Sequence, residues 1–209
     1  MKRVILIILF TQTTLFADFL NLDFESYSGS GNDLLPNWER SADDYIWPLL
    51  DAYPISTAGL GLVTKDGTYG PAIDGEYSLF LCSGHRPLPN TSEICLVSIW
   101  QTAMVPPDKT HLQFAANDLY GCDFTLGVID LLSSSPALLP NGYYQYSTDI
   151  RSLAGQTATL TLSAFADGCA WNRIDDIQFV SVPEPSSIIF MAMGAVMFFL
   201  RKKFPTNKM

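Results

Sequence analysis

The stretch Ala158-Thr159-Leu160-Thr161-Leu162-Ser163-Ala164 decides the fold class. Polar and apolar residues alternate along it, which is the pattern of a β-strand with one buried and one exposed face. An amphipathic helix would instead repeat its apolar residues every three or four positions. This stretch therefore predicts a strand at the surface of a sheet.

Other alternating or β-rich runs surround this strand, and turn-forming Gly, Pro, Asn and Asp residues separate them. The runs are 19–25, 77–81, 96–102, 111–116, 124–129, 143–149 and 175–181. About eight short strands in a segment of this length predict an all-β domain, a two-sheet β-sandwich or jelly roll over residues 18–181. Residues 34–72 are the least regular, and their topology is not predicted.

The N-terminus has the organisation of a secretory signal peptide. Lys2 and Arg3 precede the apolar run 4–10, and small and polar residues follow as far as Ala17. The apolar run is too short to cross a bilayer as a mature helix. We therefore predict an N-terminal signal helix over residues 1–17, with cleavage after Ala17.

The C-terminal segment 182–209 has the features of a short membrane anchor. Val182-Pro183-Glu184-Pro185 precedes an uncharged apolar run at 188–200, and three basic residues follow it: Arg201, Lys202 and Lys203. As a helix the apolar run is about 20 Å long, shorter than the roughly 30 Å hydrocarbon core of a bilayer. The basic residues would stay on the cytoplasmic side. The sequence predicts a marginal transmembrane helix at 188–200.

The order of Pro-Glu-Pro, apolar segment and basic cluster resembles the PEP-CTERM sorting signal of exported bacterial proteins, over roughly residues 182–203. The resemblance implies that an exosortase-type enzyme recognises Pro183, Glu184 and Pro185 and cuts the chain there. It also implies that the inner membrane holds the protein transiently, before transfer to the cell surface or the extracellular matrix. The alternative is an ordinary C-terminal anchor after a proline-bearing linker.

The segment between the two signals is strongly acidic. It contains all but one of the 21 Asp and Glu residues and only half of the 12 Lys and Arg residues, and the whole chain has a net charge of −9. A nucleic acid or an anionic lipid would need a cationic surface on its partner. The composition excludes both as partners and suits a soluble extracellular domain.

The four cysteines, Cys82, Cys95, Cys122 and Cys169, all lie in this segment. An even number of cysteines in an exported protein indicates disulfide bonds. Three connectivities are possible, and we favour Cys82–Cys95 and Cys122–Cys169. The first pair would close the loop between two strand-like runs, and the second pair lies in glycine-flanked turns. A zinc site is the alternative, but no Cys-x-x-Cys pair or nearby histidine supports it.

Six short motifs follow one another along residues 19–181. They are Asn21-Leu22-Asp23-Phe24-Glu25, Leu35-Pro36-Asn37-Trp38, Asp74-Gly75-Glu76-Tyr77-Ser78-Leu79-Phe80-Leu81, Ile99-Trp100-Gln101-Thr102, Asp149-Ile150-Arg151-Ser152-Leu153-Ala154-Gly155-Gln156-Thr157 and Ile174-Asp175-Asp176-Ile177-Gln178-Phe179. Their order resembles the galactose-binding-like jelly roll of many carbohydrate-binding modules. The resemblance implies that the first and last strands lie close together, where a structural calcium commonly joins them.

Three carboxylates are the candidate calcium ligands: Glu25, Asp175 and Asp176. Strand alternation puts Asp175 on the same face as Ile177 and Phe179. A carboxylate on a buried face needs a hydrogen bond, an ion pair or a metal, and calcium accepts six to eight oxygen ligands. The alternative is that Asp175 caps a turn and Asp176 faces water.

A glycan site would need aromatic side chains on loops. The candidates in or beside loop-like segments are Trp47, Tyr120, Tyr143, Tyr144 and Trp171. Trp38 and Trp100 lie in apolar runs and are typical of a core.

Catalysis has little support in the sequence. His85 and His111 are the only histidines, and no nucleophile accompanies either of them. The adjacent Asp43 and Asp44 are typical of a solvated acidic loop. The sequence predicts an exported, non-enzymatic protein with a structural or glycan-adhering role, and exopolysaccharide is its candidate partner. The alternatives are a carbohydrate-binding module with a specific glycan ligand and a small glycoside hydrolase, which would need two carboxylates flanking a sugar.

Overall fold

The computed structural model describes residues 18–26, 35–41, 45–47, 59–65, 71–87, 92–165 and 170–182. The predicted signal helix at 1–17 lies outside these ranges. So does the predicted sorting tail from Pro183 onward, with its apolar helix at 188–200. Within the described ranges, no helix combines the length and apolar character needed to cross a bilayer.

The described strands pair into two sheets. Sheet A is five-stranded, antiparallel and ordered β1-β6-β12-β8-β9. Its strands are β1 (Glu39–Arg40), β6 (Val97–Met104), β8 (Cys122–Leu126), β9 (Ile129–Asp130) and β12 (Thr157–Ala164).

Sheet B has the order β10-β11-β7-β13-β4-β3-β2, and β5 pairs with β4 beside this path. Its strands are β2 (Tyr45–Trp47), β3 (Gly59–Thr64), β4 (Tyr77–Pro87), β5 (Ser92–Cys95), β7 (His111–Ala116), β10 (Ala137–Leu138), β11 (Tyr144–Asp149) and β13 (Ala170–Val180). Strands β2 and β3 are parallel, and the other pairs in this sheet are antiparallel.

The path of the chain between the sheets is that of a jelly roll. The chain changes sheets between β1 and β2, β5 and β6, β6 and β7, β7 and β8, β9 and β10, β11 and β12, and β12 and β13. The order β4-β13-β7-β11 therefore faces the order β6-β12-β8-β9, as in a double-sheet jelly roll. The predicted all-β, two-sheet sandwich is confirmed. Strands from the irregular 34–72 region extend the edges: β1 joins sheet A, and β2 and β3 join sheet B.

The core between the sheets follows the alternation seen in the sequence. In β12, Leu160 and Leu162 are fully buried, whereas Thr159 and Thr161 lie on the other face. Aromatic rings then join the two sheets across the core. Phe114 of β7 lies 5.7 Å from Phe124 of β8, measured between ring centroids, and it stacks on Tyr146 of β11 at 4.8 Å.

Residues 18–26 do not form the strand predicted at 19–25. Asn21 and Phe24 have φ angles of 52° and 57°, in the left-handed region that interrupts an extended chain. Phe24 is nevertheless fully buried and packs 5.7 Å from Trp38, and Leu22 packs against the same core. The predicted strand is wrong, whereas the predicted core position of Trp38 is correct.

A bulge changes the faces of β13. The register between β13 and β7 shifts between Asp175 and Gln178, and Asp176 has a φ of 51°. A bulge inserts residues into one strand only, so the alternation of faces is broken there. Asp175 and Gln178 consequently lie on the outer face, while Ile174 and Ile177 belong to the core. The prediction that Asp175 shares a face with Ile177 is wrong, although Asp175 is only 1% exposed.

Candidate functional site

Asp175 is buried because residues 71–76 fold over the outer face of sheet B. Its Oδ2 accepts hydrogen bonds from the Ser78 hydroxyl at 2.7 Å and from the Asp74 backbone N–H at 3.0 Å. Its Oδ1 accepts the Asp176 backbone N–H at 2.7 Å. The carboxylate therefore ties the turn before β4 to the bulge of β13.

The environment of Asp175 favours its neutral form. The pKa of the carboxyl group is raised from 3.8 to about 7, chiefly by burial and to a smaller extent by the nearby negative charge of Glu25. The hydrogen bonds from Ser78, Asp74 and Asp176 act in the opposite direction. Burial is the larger effect, so Asp175 titrates close to neutral pH.

Glu25 holds the same turn from its other side. Its Oε1 accepts the backbone N–H groups of Glu76 at 2.8 Å and of Tyr77 at 3.1 Å. The carboxylate rests against Gly75, which has a φ of 58°. A Cβ atom added to Gly75 would lie 2.1 Å from Glu25 Oε1, so only glycine fits there.

The three predicted calcium ligands do not share one coordination set. Glu25 and Asp175 both face the 73–76 turn, where Glu25 Oε1 and Asp175 Oδ2 accept hydrogen bonds. Asp176 accepts a hydrogen bond from Gln178 and lines a separate open groove of about 290 Å³ with Asp23. The described residues contain no group of three His, Cys, Asp or Glu side chains that could hold a metal ion. In the structure, Glu25 and Asp175 thus hold the turn in place. Calcium binding by Glu25, Asp175 and Asp176 stays a prediction.

Two side chains on the outer face of sheet B hold the start of this turn. The carbonyl of Pro71 accepts hydrogen bonds from the Tyr143 hydroxyl at 3.4 Å and from Arg173 Nη1 at 3.2 Å. The Arg173 guanidinium also lies 5.2 Å from the centroid of the Tyr143 ring, a cation–π contact. Beside Pro71, an open groove of about 360 Å³ is lined by Lys65 and residues 71–76.

Two of the five aromatic residues proposed from the sequence, Tyr143 and Trp171, lie on the outer face of sheet B. Trp171 of β13 packs against Val63, Phe80 and Cys82, a small buried cluster on the outer face of sheet B. Tyr143 lies on the same face, since it contacts Arg173, which is two residues from Trp171 in β13.

Tyr120 lies at the same end of the sheet and is 71% exposed. Its backbone N–H donates to Asn172 Oδ1 at 3.0 Å, and its carbonyl accepts from Asn172 Nδ2 at 3.2 Å. Asn172 follows Trp171 in β13, but its side chain is fully buried and points to the opposite face of the strand, so this contact places Tyr120 at the end of the sheet and not on the outer face. Of the remaining two candidates, Tyr144 packs against the core, and Trp47 lies in β2 with its side chain outside the described part of the structure.

A row of polar side chains on the outer face of sheet B was missed in the sequence. The register places Gln145 and Ser147 of β11 beside Ala115 and Gln113 of β7. Gln113 Nε2 donates to the Ser147 hydroxyl at 3.1 Å. The alternation in 111–116 and 143–149 shows that these residues face outward, but it does not show that the two strands are neighbours.

The described residues contain no disulfide bond. Cys95 pairs with Gly84 in the β4–β5 ladder, which makes Cys82 a diagonal neighbour of Cys95. Diagonal Cα atoms are about 7–8 Å apart, beyond the usual reach of a disulfide, so the Cys82–Cys95 bridge would need a small shift of register. Cys122 is a half-buried thiol, and its predicted partner Cys169 lies outside the described residues. Both pairings stay predictions.

The described residues offer no assembled catalytic group around the histidines. His111 Nδ1 lies 2.9 Å from the hydroxyl of its neighbour Thr110, at the end of β7. The side chain of His85, and both Asp43 and Asp44, lie outside the described residues. The carboxylate of Asp149 forms an ion pair with Arg151 at 2.6 Å, and hydrogen bonding by Arg151 lowers the pKa of Asp149 to about 2.

No protein family matches the chain, and no curated protein matches it in sequence. Solved structures that resemble it include the three that follow. The first is the carbohydrate-binding module TmCBM61 in complex with β-1,4-galactotriose, with 17% identity, a TM-score of 0.41, and coverage of 78% of this chain and 97% of that one. The second is a family 11 carbohydrate-binding module from Clostridium thermocellum in complex with a β-1,3-1,4-mixed-linked tetrasaccharide. It has 8% identity and a TM-score of 0.40, and the match covers 81% of this chain and 96% of that one.

The third is the enzymatically active domain of tailspike protein 4 from bacteriophage CBA120. Its identity is 11% and its TM-score is 0.33, and the match covers 70% of this chain and 20% of that one. With TM-scores this low, the jelly-roll assignment rests on the strand order described above.

Proposed function

We propose that this protein is a non-catalytic glycan-binding domain that functions outside the cell. Its binding surface is the aromatic end of sheet B, which consists of Tyr120, Tyr143, Trp171 and Arg173. The observation that carries the proposal is the highly exposed ring of Tyr120, which lies at the end of the sheet where Tyr143 and Trp171 share the outer face. Tyrosine and tryptophan combine a large apolar ring with a polar tip, and they are enriched at binding surfaces.

The chemistry of this surface suits a sugar ring. Aromatic faces pack against the C–H faces of a pyranose. The neighbouring side chains of Gln113, Gln145 and Ser147 offer both donors and acceptors to sugar hydroxyls. Small-molecule sites commonly combine a few apolar surfaces with such polar groups.

The charge of the protein favours a neutral glycan over an acidic one. The chain carries a net charge of −9, so a uronic-acid polymer would be repelled at long range. Arg173, the cation of the aromatic end, is already engaged by the Pro71 carbonyl and the Tyr143 ring. We therefore expect neutral exopolysaccharides to be the better ligands.

Affinity electrophoresis of the purified full-length protein through gels containing neutral polysaccharides tests this function. The panel begins with β-1,4-galactan and mixed-linkage β-glucan and includes an acidic polysaccharide for comparison. Tyr120→Ala should weaken retardation about tenfold, since removing a stacked aromatic costs on the order of 1 kcal/mol. Val128→Ala, at a 94% exposed position in the β8–β9 turn, is the matched control and should bind like the wild type.

Wild-type protein that is retarded by no glycan in the panel would contradict the proposed function. Products released from the same polysaccharides would instead favour the hydrolase alternative, because a binding module leaves its ligand intact.

Export and sorting form a separate part of the proposal and rest on the sequence. The signal peptide at 1–17 and the tail with Pro183, Glu184 and Pro185 support export followed by exosortase-type processing. Intact-mass analysis of the protein from its native host tests both ends of the chain. A mature chain from Asp18 to the Pro-Glu-Pro motif is expected. A chain that still ends at Met209 would mean that the tail is a plain anchor.

A further inference from the structure

The outer face of sheet A carries hydroxyl side chains that are held in register. Thr159 and Thr161 of β12 lie opposite Thr102 and Trp100 of β6, and Thr161 also lies opposite Thr125 of β8. We call these five residues the hydroxyl face. The hydroxyls of Thr102 and Thr159 are 2.8 Å apart, so one donates to the other. Such a pair keeps one free donor and several acceptor lone pairs for a ligand.

Trp100 stands in the middle of this face with its ring fixed. Its backbone neighbours are Thr161 in β12 and Glu39 in β1. The indole N–H donates to Glu39 Oε2 at 3.0 Å, which satisfies its donor and fixes the ring relative to the sheet. The side chain is half-buried, and the core of the sandwich is on the opposite side of the strand. A large aromatic residue at an outward position is therefore not explained by packing of the core.

The charges around the hydroxyl face decide which partner it suits. Exposed carboxylates of Glu39, Asp123 and Asp130 lie at outward positions of the same sheet, and no Lys or Arg occupies an outward position in the strands described for it. An anionic partner would be repelled. Serine and threonine are also under-represented at the energetic centres of protein–protein interfaces. A neutral, hydroxyl-rich polymer fits both the charge and the hydrogen-bonding groups.

We propose that the hydroxyl face is a second binding surface, which takes a neutral polysaccharide chain with one sugar ring on Trp100. This surface is on the opposite sheet from the aromatic end, so glycan binding here does not depend on the function proposed there, whereas cross-linking rests on both surfaces. Two binding surfaces on opposite sides of one sandwich would let a single molecule join two polysaccharide chains. Such cross-linking suits a structural component of an extracellular matrix.

The test uses affinity electrophoresis of the full-length protein with the neutral polysaccharides named above. Trp100→Ala should weaken binding roughly tenfold in a Tyr120→Ala background, where the first surface contributes less. Thr161→Val removes one hydroxyl beside Trp100 without changing the shape of the side chain and should weaken binding about threefold to tenfold. Thr157→Val, on the same strand and face but opposite Met104, is the matched control and should have no effect.

Trp100→Phe keeps an aromatic ring and should retain most of the binding. Thr161→Val decides the matter if Trp100→Ala fails to fold, because it should weaken binding without removing the ring. The turbidity of polysaccharide solutions reports cross-linking and should fall in either single variant, Tyr120→Ala or Trp100→Ala. The proposal is overturned if Trp100→Ala and Thr161→Val, each made in the Tyr120→Ala protein, bind glycan as well as Tyr120→Ala alone. It is also overturned if sedimentation shows that Trp100→Ala abolishes a dimer while leaving glycan binding unchanged, because the face would then be an interface between copies.

Discussion

Glu25 and Gly75 fit each other so closely that a Cβ atom on Gly75 would lie 2.1 Å from Glu25 Oε1. The carboxylate reaches the backbone N–H groups of Glu76 and Tyr77 only because residue 75 has no side chain. Asp175 holds the same turn through Ser78 and the Asp74 N–H. Two carboxylates from the two ends of the domain therefore fix one turn over sheet B.

Gly75→Ala should destabilise the domain more than a change at another glycine with positive φ. Gly142 has a φ of 85°, and no atom lies within 4 Å of the position that an alanine methyl group would take there, so Gly142→Ala reports backbone strain alone. We expect about 1 kcal/mol for Gly142→Ala and about 3 kcal/mol for Gly75→Ala, where the Glu25 contact is also lost. Thermal unfolding measures both values. Equal losses in the two variants would mean that Glu25 contributes nothing to the turn.

Glu25→Gln should lower the unfolding temperature by about 2–4 °C, because a neutral amide oxygen accepts the two N–H bonds more weakly than a carboxylate does. Glu76→Gln is the matched control. It changes a neighbouring glutamate whose ion pair with Lys65 at 3.3 Å is exposed and contributes little. Both variants should be melted in EDTA and in calcium. A calcium-dependent rise in stability that disappears only in Glu25→Gln would mean that a metal holds this turn.

The pKa of Asp175, raised by burial from 3.8 to about 7, makes stability depend on pH. The folded state binds the proton more tightly than the unfolded state does, so the stabilisation is fully present below pH 3.8. It decreases as the pH rises and is lost above about pH 7. The decrease in unfolding temperature between about pH 5 and pH 8 should be smaller in Asp175→Asn than in the wild type. Asp149→Asn should leave that decrease unchanged, because the pKa of Asp149 is about 2. An unchanged pH dependence in Asp175→Asn would show that Asp175 does not titrate in this range.

Cys122 should react slowly with iodoacetamide in the reduced, folded protein. Burial raises the pKa of its thiol to about 12, so very little thiolate exists near pH 8. Unfolding in urea should restore the rate of an ordinary thiol. Fast alkylation of folded Cys122 would contradict this pKa. The same mass measurement on non-reduced protein tests the predicted disulfides, since a Cys122–Cys169 bond would block alkylation even in urea.

Most of the individual strands could be predicted from the sequence. In 158–164 and 111–116, the residues on one face of the strand differ in polarity from those on the other face. That difference shows which face is buried. The prediction from alternation failed where the backbone conformation interrupts the two-residue period of a strand. Phe24 and Asp176 adopt positive φ, and neither is a glycine, the residue that would reveal such a conformation in a sequence. The strand predicted at 19–25 and the face predicted for Asp175 were wrong for this reason.

The candidate site, too, could be predicted only in part from the sequence. Glu25, Asp175, Tyr120, Tyr143 and Trp171 could be selected by residue type and position. The folded chain was needed to show that the first two hold one turn and that the other three lie at one end of a sheet. Trp100 was assigned to the core because its sequence neighbours are apolar, yet the register of β6 turns it outward toward Thr161.

Composition and alternation are local properties of the chain, and they were sufficient to predict an acidic, all-β domain between two predicted export signals. Three-dimensional packing, by contrast, settles which strands are neighbours, which carboxylates meet and which aromatic rings share a face. Those relations join residues far apart in the chain, such as Asp74 and Asp175. They depend on how two sheets pack together, and no pattern within one strand records that arrangement.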